Sequence, residues 1–248
     1  MRLETRKKWL LFIAAFGILA LLARFTEKIT QKQLEEGKKP EQMWENTAEE
    51  MIRTQGNQLK IAEYKGRVAL TFDDGPSKLM TPQLLDGLEK RGVKATFFLI
   101  GEYAEENQEL VKRMSEAGHL IGNHTYHHVQ LKDLGKEEVK REIDETNDLL
   151  EQITGNRPQF LRPPFGAWDK TLEKKVNMIP VMWDVDPLDW CREDVDCIVK
   201  SVVEHVKDND IILLHDSYAT SVTAALQIID ILQALGYEFV TVDELMTE

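Results

Sequence analysis

The sequence predicts an α/β protein, a closed or nearly closed (β/α) barrel of about seven parallel strands. Three observations lead there. From Arg67 onward, short apolar runs alternate with amphipathic stretches of helical period, the pattern of strand–helix units joined by right-handed crossovers. About seven such units recur within a length that suits one domain. Five of the runs end in clusters of Asp, His, Arg or Pro and Gly, at the strand ends where α/β sheets and barrels hold their ligands.

Residues 1–25 precede this region. Arg2, Arg6, Lys7 and Lys8 stand before an uncharged run from Trp9 to Ala23. At about 15 residues it is shorter than the roughly 17–25 of a spanning helix, although Arg24 can snorkel and Phe25 extends the apolar face. A cleaved signal peptide competes, but Leu21 stands where a small residue is wanted before Arg24. The segment is therefore read as an uncleaved single-pass anchor, its basic end in the cytoplasm and the rest outside; if cleaved, the chain is secreted. Residues 26–64 are polar and rich in Gln, Glu and Lys, with Gly37 and Pro40 as breakers. They read as a stalk, with a modest helical stripe of Met43, Trp44, Met51 and Ile52. The folded catalytic unit is expected over residues 65–248.

Within it, residues 68–72 read as a buried strand stopped by Gly75-Pro76-Ser77. Pro82 suits the first turn of a helix that ends at Gly92. Residues 95–100, aromatic and β-branched, form a second strand, a helix over 105–117 stops at Gly118, and 120–122 is a third strand. Residues 136–153 form a long helix closed by Gly155, with Val139, Ile143, Leu149, Leu150 and Ile153 on its buried side. Residues 160–161, 179–182, 211–214 and 239–241 complete the strands, with helices over 195–206 and 221–235. A net charge of -12 without a basic stripe argues against nucleic acid as a partner. Cys191 and Cys197 in one helix would lie roughly 9 Å apart, too far for a disulfide. A bridge survives only if Cys191 precedes the helix, so free thiols are favoured.

Candidate chemistry begins at Asp73 and Asp74, past the first strand, where Asp-Asp-Gly-Pro also fits plain turn formation. His124-Thr125-Tyr126-His127-His128 follows the third strand. On a helical turn the i, i+4 pair His124 and His128 would share one side, as a divalent metal needs, whereas His127 would point elsewhere. Two imidazoles and a carboxylate, with room for water, make the donor set of a catalytic zinc-type site. Arg162-Pro163-Pro164-Phe165-Gly166 fits either a plain loop or a stiffened turn that aims an N–H group inward. Asp186-Pro187-Leu188-Asp189-Trp190 and Leu213-Leu214-His215-Asp216 add carboxylates and an imidazole at two further strand ends.

Thr71-Phe72-Asp73-Asp74-Gly75, the His124–His128 segment, Arg162 to Gly166, Asp189-Trp190 and Leu213 to Asp216 resemble the five ordered motifs of the polysaccharide deacetylases, the NodB-homology or carbohydrate esterase family four enzymes. The resemblance runs from about Lys65 to the C-terminus. It implies a distorted (β/α) barrel and metal-dependent removal of N-acetyl groups from amino sugars. By that resemblance Asp73 is the general base, and Asp74, His124 and His128 hold one divalent ion, zinc first, with cobalt or another first-row ion as alternatives. Arg162 orients Asp73, and His215 is the general acid with Asp189 as its partner. Trp190 and Leu213 wall the acetyl pocket, and the Phe165 N–H helps hold the oxyanion. An outward-facing, tethered, monomeric domain meets the cell wall first, so N-acetylglucosamine of peptidoglycan is the expected substrate. Intact Arg-Pro-Pro and Asp-Asp-Gly-Pro patterns favour it over the muramic sugar. Chitooligosaccharide deacetylation, acetyl-ester hydrolysis and, from another class, an inactive wall-glycan-binding protein are the alternatives.

Overall fold

Strand β1 (Gly66–Gly75) pairs with three others in the seven-stranded sheet of the computed structural model, which describes residues 64–247. β2 (Thr96–Leu99), β3 (Leu120–Asn123), β4 (Phe160–Leu161) and β5 (Ile179–Pro180) follow outward on one side and β6 (Ile211–His215) lies on the other, giving the order β5-β4-β3-β2-β1-β6. β7 (Tyr237–Val240) pairs with the first residues of β1, Gly66 to Ala69. Every pairing is parallel. The sheet curls. Beyond β5 the chain turns from β4, where the Val181 N–H donates to Leu161 O (2.9 Å), to β6, where Val185 bridges Ile212. Sequence and structure agree on a curled, parallel α/β fold. The predicted anchor and nearly all of the stalk lie outside the described residues, and among the described residues no helix is long and apolar enough to cross a membrane.

Alternation along β1 decides what points where. Val68, Leu70 and Phe72 face outward into a core shared with Leu84 and Leu88 of α1 (Thr81–Arg91) and with Ile228 and Leu232 of α7 (Ala219–Ala234). Each such buried side chain contributes about 1.5–3 kcal/mol. Ala69 faces the other way, into a smaller cluster with Phe98, Phe160 and Val181. Thr71 and Asp73 share that inner direction by the period of two.

Several boundaries differ from expectation. The helix predicted over 105–117 is two, α2 (Gly101–Glu106) and α3 (Gln108–Glu116), broken at Asn107, whose Nδ2 donates to Tyr103 O at 2.9 Å. Asn side chains compete with helical backbone in this way. The long helix is α4 (Lys136–Thr154), closed by Gly155 at φ 76. β1 is longer than predicted, so Asp73 and Asp74 end the strand instead of following it. Short helices α5 (Lys170–Glu173) and α8 (Val242–Met246) were not foreseen. Cys191 precedes α6 (Val195–His205), yet both cysteines are free and exposed.

Candidate active site

Two adjacent residues on a regular strand point to opposite faces. Asp73 and Asp74 escape that rule because the β1–β2 register shifts between Asp73 and Gly75, a bulge with Asp74 at φ 67. Bulges re-aim side chains, and Asp tolerates the left-handed region better than most residues. Gly75 is required beside it: a Cβ there would come within 2.4 Å of Asp216 Oδ1.

Asp73 is buried, and its Oδ1 accepts from Arg162 Nη1 at 2.8 Å. Arg162 leaves the end of β4 with no exposed surface. It donates to Thr71 Oγ1 (2.6 Å), Val181 O (3.2 Å) and Met182 O (3.1 Å), and its guanidinium lies 4.3 Å from the Phe98 ring centroid. Burial pulls the Arg162 pKa down and the Asp73 charge opposes this. Acceptors for four of its five N–H groups, one of them a carboxylate, are what make burying that cation tolerable.

Asp74 Oδ1 lies 3.3 Å from Nε2 of both His124 and His128, and the ligand-capable atoms of the three residues fall within 4.8 Å of one another. His124 Nδ1 is 2.6 Å from Arg162 O. A carbonyl can only accept, so Nδ1 carries the proton and Nε2 keeps a lone pair toward Asp74. Burial resists the charge on Asp74, but the imidazoles of His124, His128 and His215 around it hold its carboxyl below the usual range. Burial and the neighbouring His124 lower the pKa of His128. Asp74 Oδ1 is buried without a hydrogen-bond partner. An orphaned carboxylate oxygen between two imidazole nitrogens makes a donor set that fits a divalent cation.

On the far side, His215 ends β6 in register with Asp73. Its Nδ1 is 2.8 Å from Asp189 Oδ1, its N–H donates to Asp189 Oδ2 (2.8 Å), and its Nε2 is 3.9 Å from Asp74 Oδ2. Burial disfavours imidazolium, but the Asp189 hydrogen bond and charge, aided by Asp73 and Asp74, push His215 up to about 9. Asp216, next in the chain, is fully buried, is pushed up to about 7 by that burial, and accepts from Thr81 Oγ1.

Seven of the ten sequence-predicted site residues thus converge: Asp73, Asp74, His124, His128, Arg162, Asp189 and His215. Leu213 is buried two residues before His215, on the same face. Phe165 is 67% exposed, has φ 60, and stacks edgewise on His128 at 4.7 Å. Trp190 is 53% exposed, and among the described residues no hydrogen bond or ring contact ties it to the cluster. One geometric expectation fails. The segment from His124 to His128 is no helical turn, since Thr125 (φ 65) and His128 (φ 54) are left-handed. The imidazoles meet, with ring centroids 4.9 Å apart, because the backbone doubles back. Sequence reasoning missed Thr71 as a partner of Arg162, and Glu142, whose Oε1 lies 2.8 Å from His127 Nδ1. The signal for Glu142 was a carboxylate on the apolar stripe of α4.

A family model described as polysaccharide deacetylase matches residues 60–182. The peptidoglycan-N-acetylglucosamine deacetylase PgdA of Listeria monocytogenes serotype 1/2a (strain 10403S) is 39% identical over 187 residues, covering 75% of this chain and 40% of that protein. A peptidoglycan-N-acetylglucosamine deacetylase of Bacillus cereus (strain ATCC 14579) is 40% identical over 187 residues, with 71% of this chain and 67% of the relative covered. Among solved structures, that of PdaC from Bacillus subtilis, a peptidoglycan-N-acetylmuramic acid deacetylase, has a TM-score of 0.71 at 40% identity, covering 73% of this chain and 90% of that one. The chain spans 40% of the length of the Listeria relative.

Proposed function

The chain belongs to the polysaccharide deacetylase family, and we propose that it is a metal-dependent hydrolase removing N-acetyl groups from N-acetylglucosamine residues of cell-wall peptidoglycan. One observation carries the reading: Asp74 Oδ1 is orphaned between two imidazole nitrogens at 3.3 Å, flanked by an Arg-bound carboxylate and an Asp-bound imidazole.

Asp74, His124 and His128 would hold the ion, with zinc first for an N/N/O donor set. When bound, such an ion supplies Lewis acidity, polarising an amide carbonyl and lowering the pKa of water. Asp73 is the base. Its Oδ1 is occupied by Arg162, which leaves the lone pairs of Oδ2 to take a proton from the attacking water. As the water oxygen bonds to the carbonyl carbon and the carbon–nitrogen bond breaks, the sugar nitrogen must gain a proton to depart. His215, pushed up to about 9, is imidazolium at neutral pH and gives that proton from Nε2 while Asp189 holds Nδ1. Acetate and a free amino sugar result. Leu213, Trp190 and the Phe165 backbone N–H are read as the acetyl pocket and oxyanion contact.

A second reading, the muramic sugar as substrate, is favoured by the likeness to PdaC. Acetate release from purified peptidoglycan and chitooligosaccharides, with chelator and zinc add-back, tests the proposal, and mass spectrometry of digested wall assigns the sugar. No acetate from any glycan after zinc add-back overturns it. We read residues 1–25 as the tether that keeps the domain outside the cell. A mature membrane protein beginning near Arg24 contradicts that reading.

A further inference from the structure

The buried face of α4 consists of Val139, Glu142, Ile143, Thr146, Asn147 and Leu150. A carboxylate on such a face is unfavourable unless its oxygens are engaged. Those of Glu142 are. Oε2 accepts from the consecutive N–H groups of Tyr126 (3.1 Å) and His127 (2.9 Å), and Oε1 meets His127 Nδ1 at 2.8 Å. One turn on, Asn147 Oδ1 accepts from Asn123 Nδ2 (2.8 Å), which also donates to Ile143 O (3.0 Å). Asn123 Oδ1 in turn accepts from the Thr125 N–H at 2.7 Å. The N–H groups of Thr125, Tyr126 and His127 therefore all end on α4 or on a side chain that α4 holds. The carbonyls of Thr125 and Tyr126 are taken from the opposite side by the N–H groups of Gly101 (2.9 Å) and Glu102 (3.0 Å).

This is the segment that joins His124 to His128, with Thr125 and His128 left-handed. Residues other than glycine keep that conformation only where their surroundings over-determine it. Successive N–H groups closed around one anion form a nest, and here the anion is a side chain of the protein itself.

We propose that Glu142 is a positioning residue for the metal pair. Its carboxylate fixes the backbone between His124 and His128 so that both Nε2 atoms face Asp74, and its loss weakens metal binding without removing a ligand. The inference rests on the reading of Asp74, His124 and His128 as the ligands.

The test uses the full chain with Glu142→Ala, Glu142→Gln, His127→Ala and, as a ligand control, His124→Ala. Zinc dissociation constants come from competition with a chromophoric chelator, and thermal midpoints are taken on metal-free protein. Glu142→Ala weakens zinc binding by about 10–100-fold, the range for groups that orient ligands. Glu142→Gln keeps an acceptor for the two N–H groups and restores part of the affinity. His127→Ala loses one contact and weakens binding by a smaller factor. Parent-like zinc affinity in both Glu142→Gln and His127→Ala overturns the proposal, whether or not the alanine variant folds. So does a lowered metal-free midpoint with unchanged affinity, the mark of a purely structural role. Unchanged zinc binding in His124→Ala sinks the ligand assignment instead.

Discussion

The two halves of the site are held in different ways. Asp73, Arg162 and His215 stand at or just after strand ends, and charge-assisted bonds of 2.8 Å tie Asp73 to Arg162 and His215 to Asp189. Asp74, His124 and His128 owe their direction to backbone at positive φ, at Asp74, Thr125 and His128 themselves. The inner face of a parallel strand suffices to aim a carboxylate and an imidazole, since alternation sets them without further device. Three donors meeting at one point need backbone that no regular strand offers, and that backbone must be propped from outside.

If the halves are separable, variants should divide along the same line. Asp73→Asn should lower turnover by about 10³-fold while leaving zinc stoichiometry intact. Metal loss in that variant would mean that the two aspartates have been given each other's tasks. His124→Ala should weaken zinc binding by at least about 10²-fold and lower activity with it. A smaller step comes from Asp189→Asn. The Asp189 hydrogen bond and charge raise the pKa of His215, and an acid loses activity as pH rises through its pKa. Without that carboxylate the alkaline limb of kcat should move to lower pH, with turnover down by about 10-fold at neutral pH. An unmoved limb would remove His215 from the role of acid.

The smallest effect lies away from both halves and serves as their control. His119, just before β3, is buried, accepts the Ala95 N–H at Nδ1, and is pushed down to about 4 by burial and by Lys94 and Arg113. The unfolded chain binds this proton near pH 6.5 and the folded one does not until about 4. Stability from this group is thus full above pH 6.5 and lost as pH falls through 4, on the order of 3 kcal/mol in all. Asp216, pushed up to about 7, changes stability in the opposite sense over the same range, so the reading is the difference between parent and His119→Gln. By chemical denaturation of metal-free protein, the stability gap between the two should change by most of that amount between pH 7 and 4.5, with neither limb of the activity profile moved.

Much of this division was written in the chain. The apolar runs gave the strands because burial on both faces leaves few polar interruptions, and the clusters at their ends marked the sheet edge that carries the site. Asp73, Arg162 and His215 were marked by their places at strand ends, and the resemblance to the polysaccharide deacetylases supplied their expected roles. What stayed hidden depended on contacts distant in sequence or on torsions no residue type announces. Asn107 breaks a helix that its neighbours would continue, and Thr125, an ordinary β-former, adopts φ 65 because Asn123 and Gly101 bind its backbone. Glu142 was visible as a charge on the stripe of Val139 and Ile143, but only the fold shows what it holds.

The bulge in β1 bears on how such a site can arise or be lost. Asp73 and Asp74 are chemically the same residue, and composition gives neither a task. A single irregular backbone step differentiates them, turning one toward Arg162 and the other toward the imidazoles. Deletion of one residue at that step would leave a strand of ordinary parity, still ending in aspartate and still able to fold, with no centre to serve. For the same reason, transplanting the Asp-Asp pair onto another parallel sheet would fail unless the kink, Gly75 and the space kept by Asp216 travelled with it.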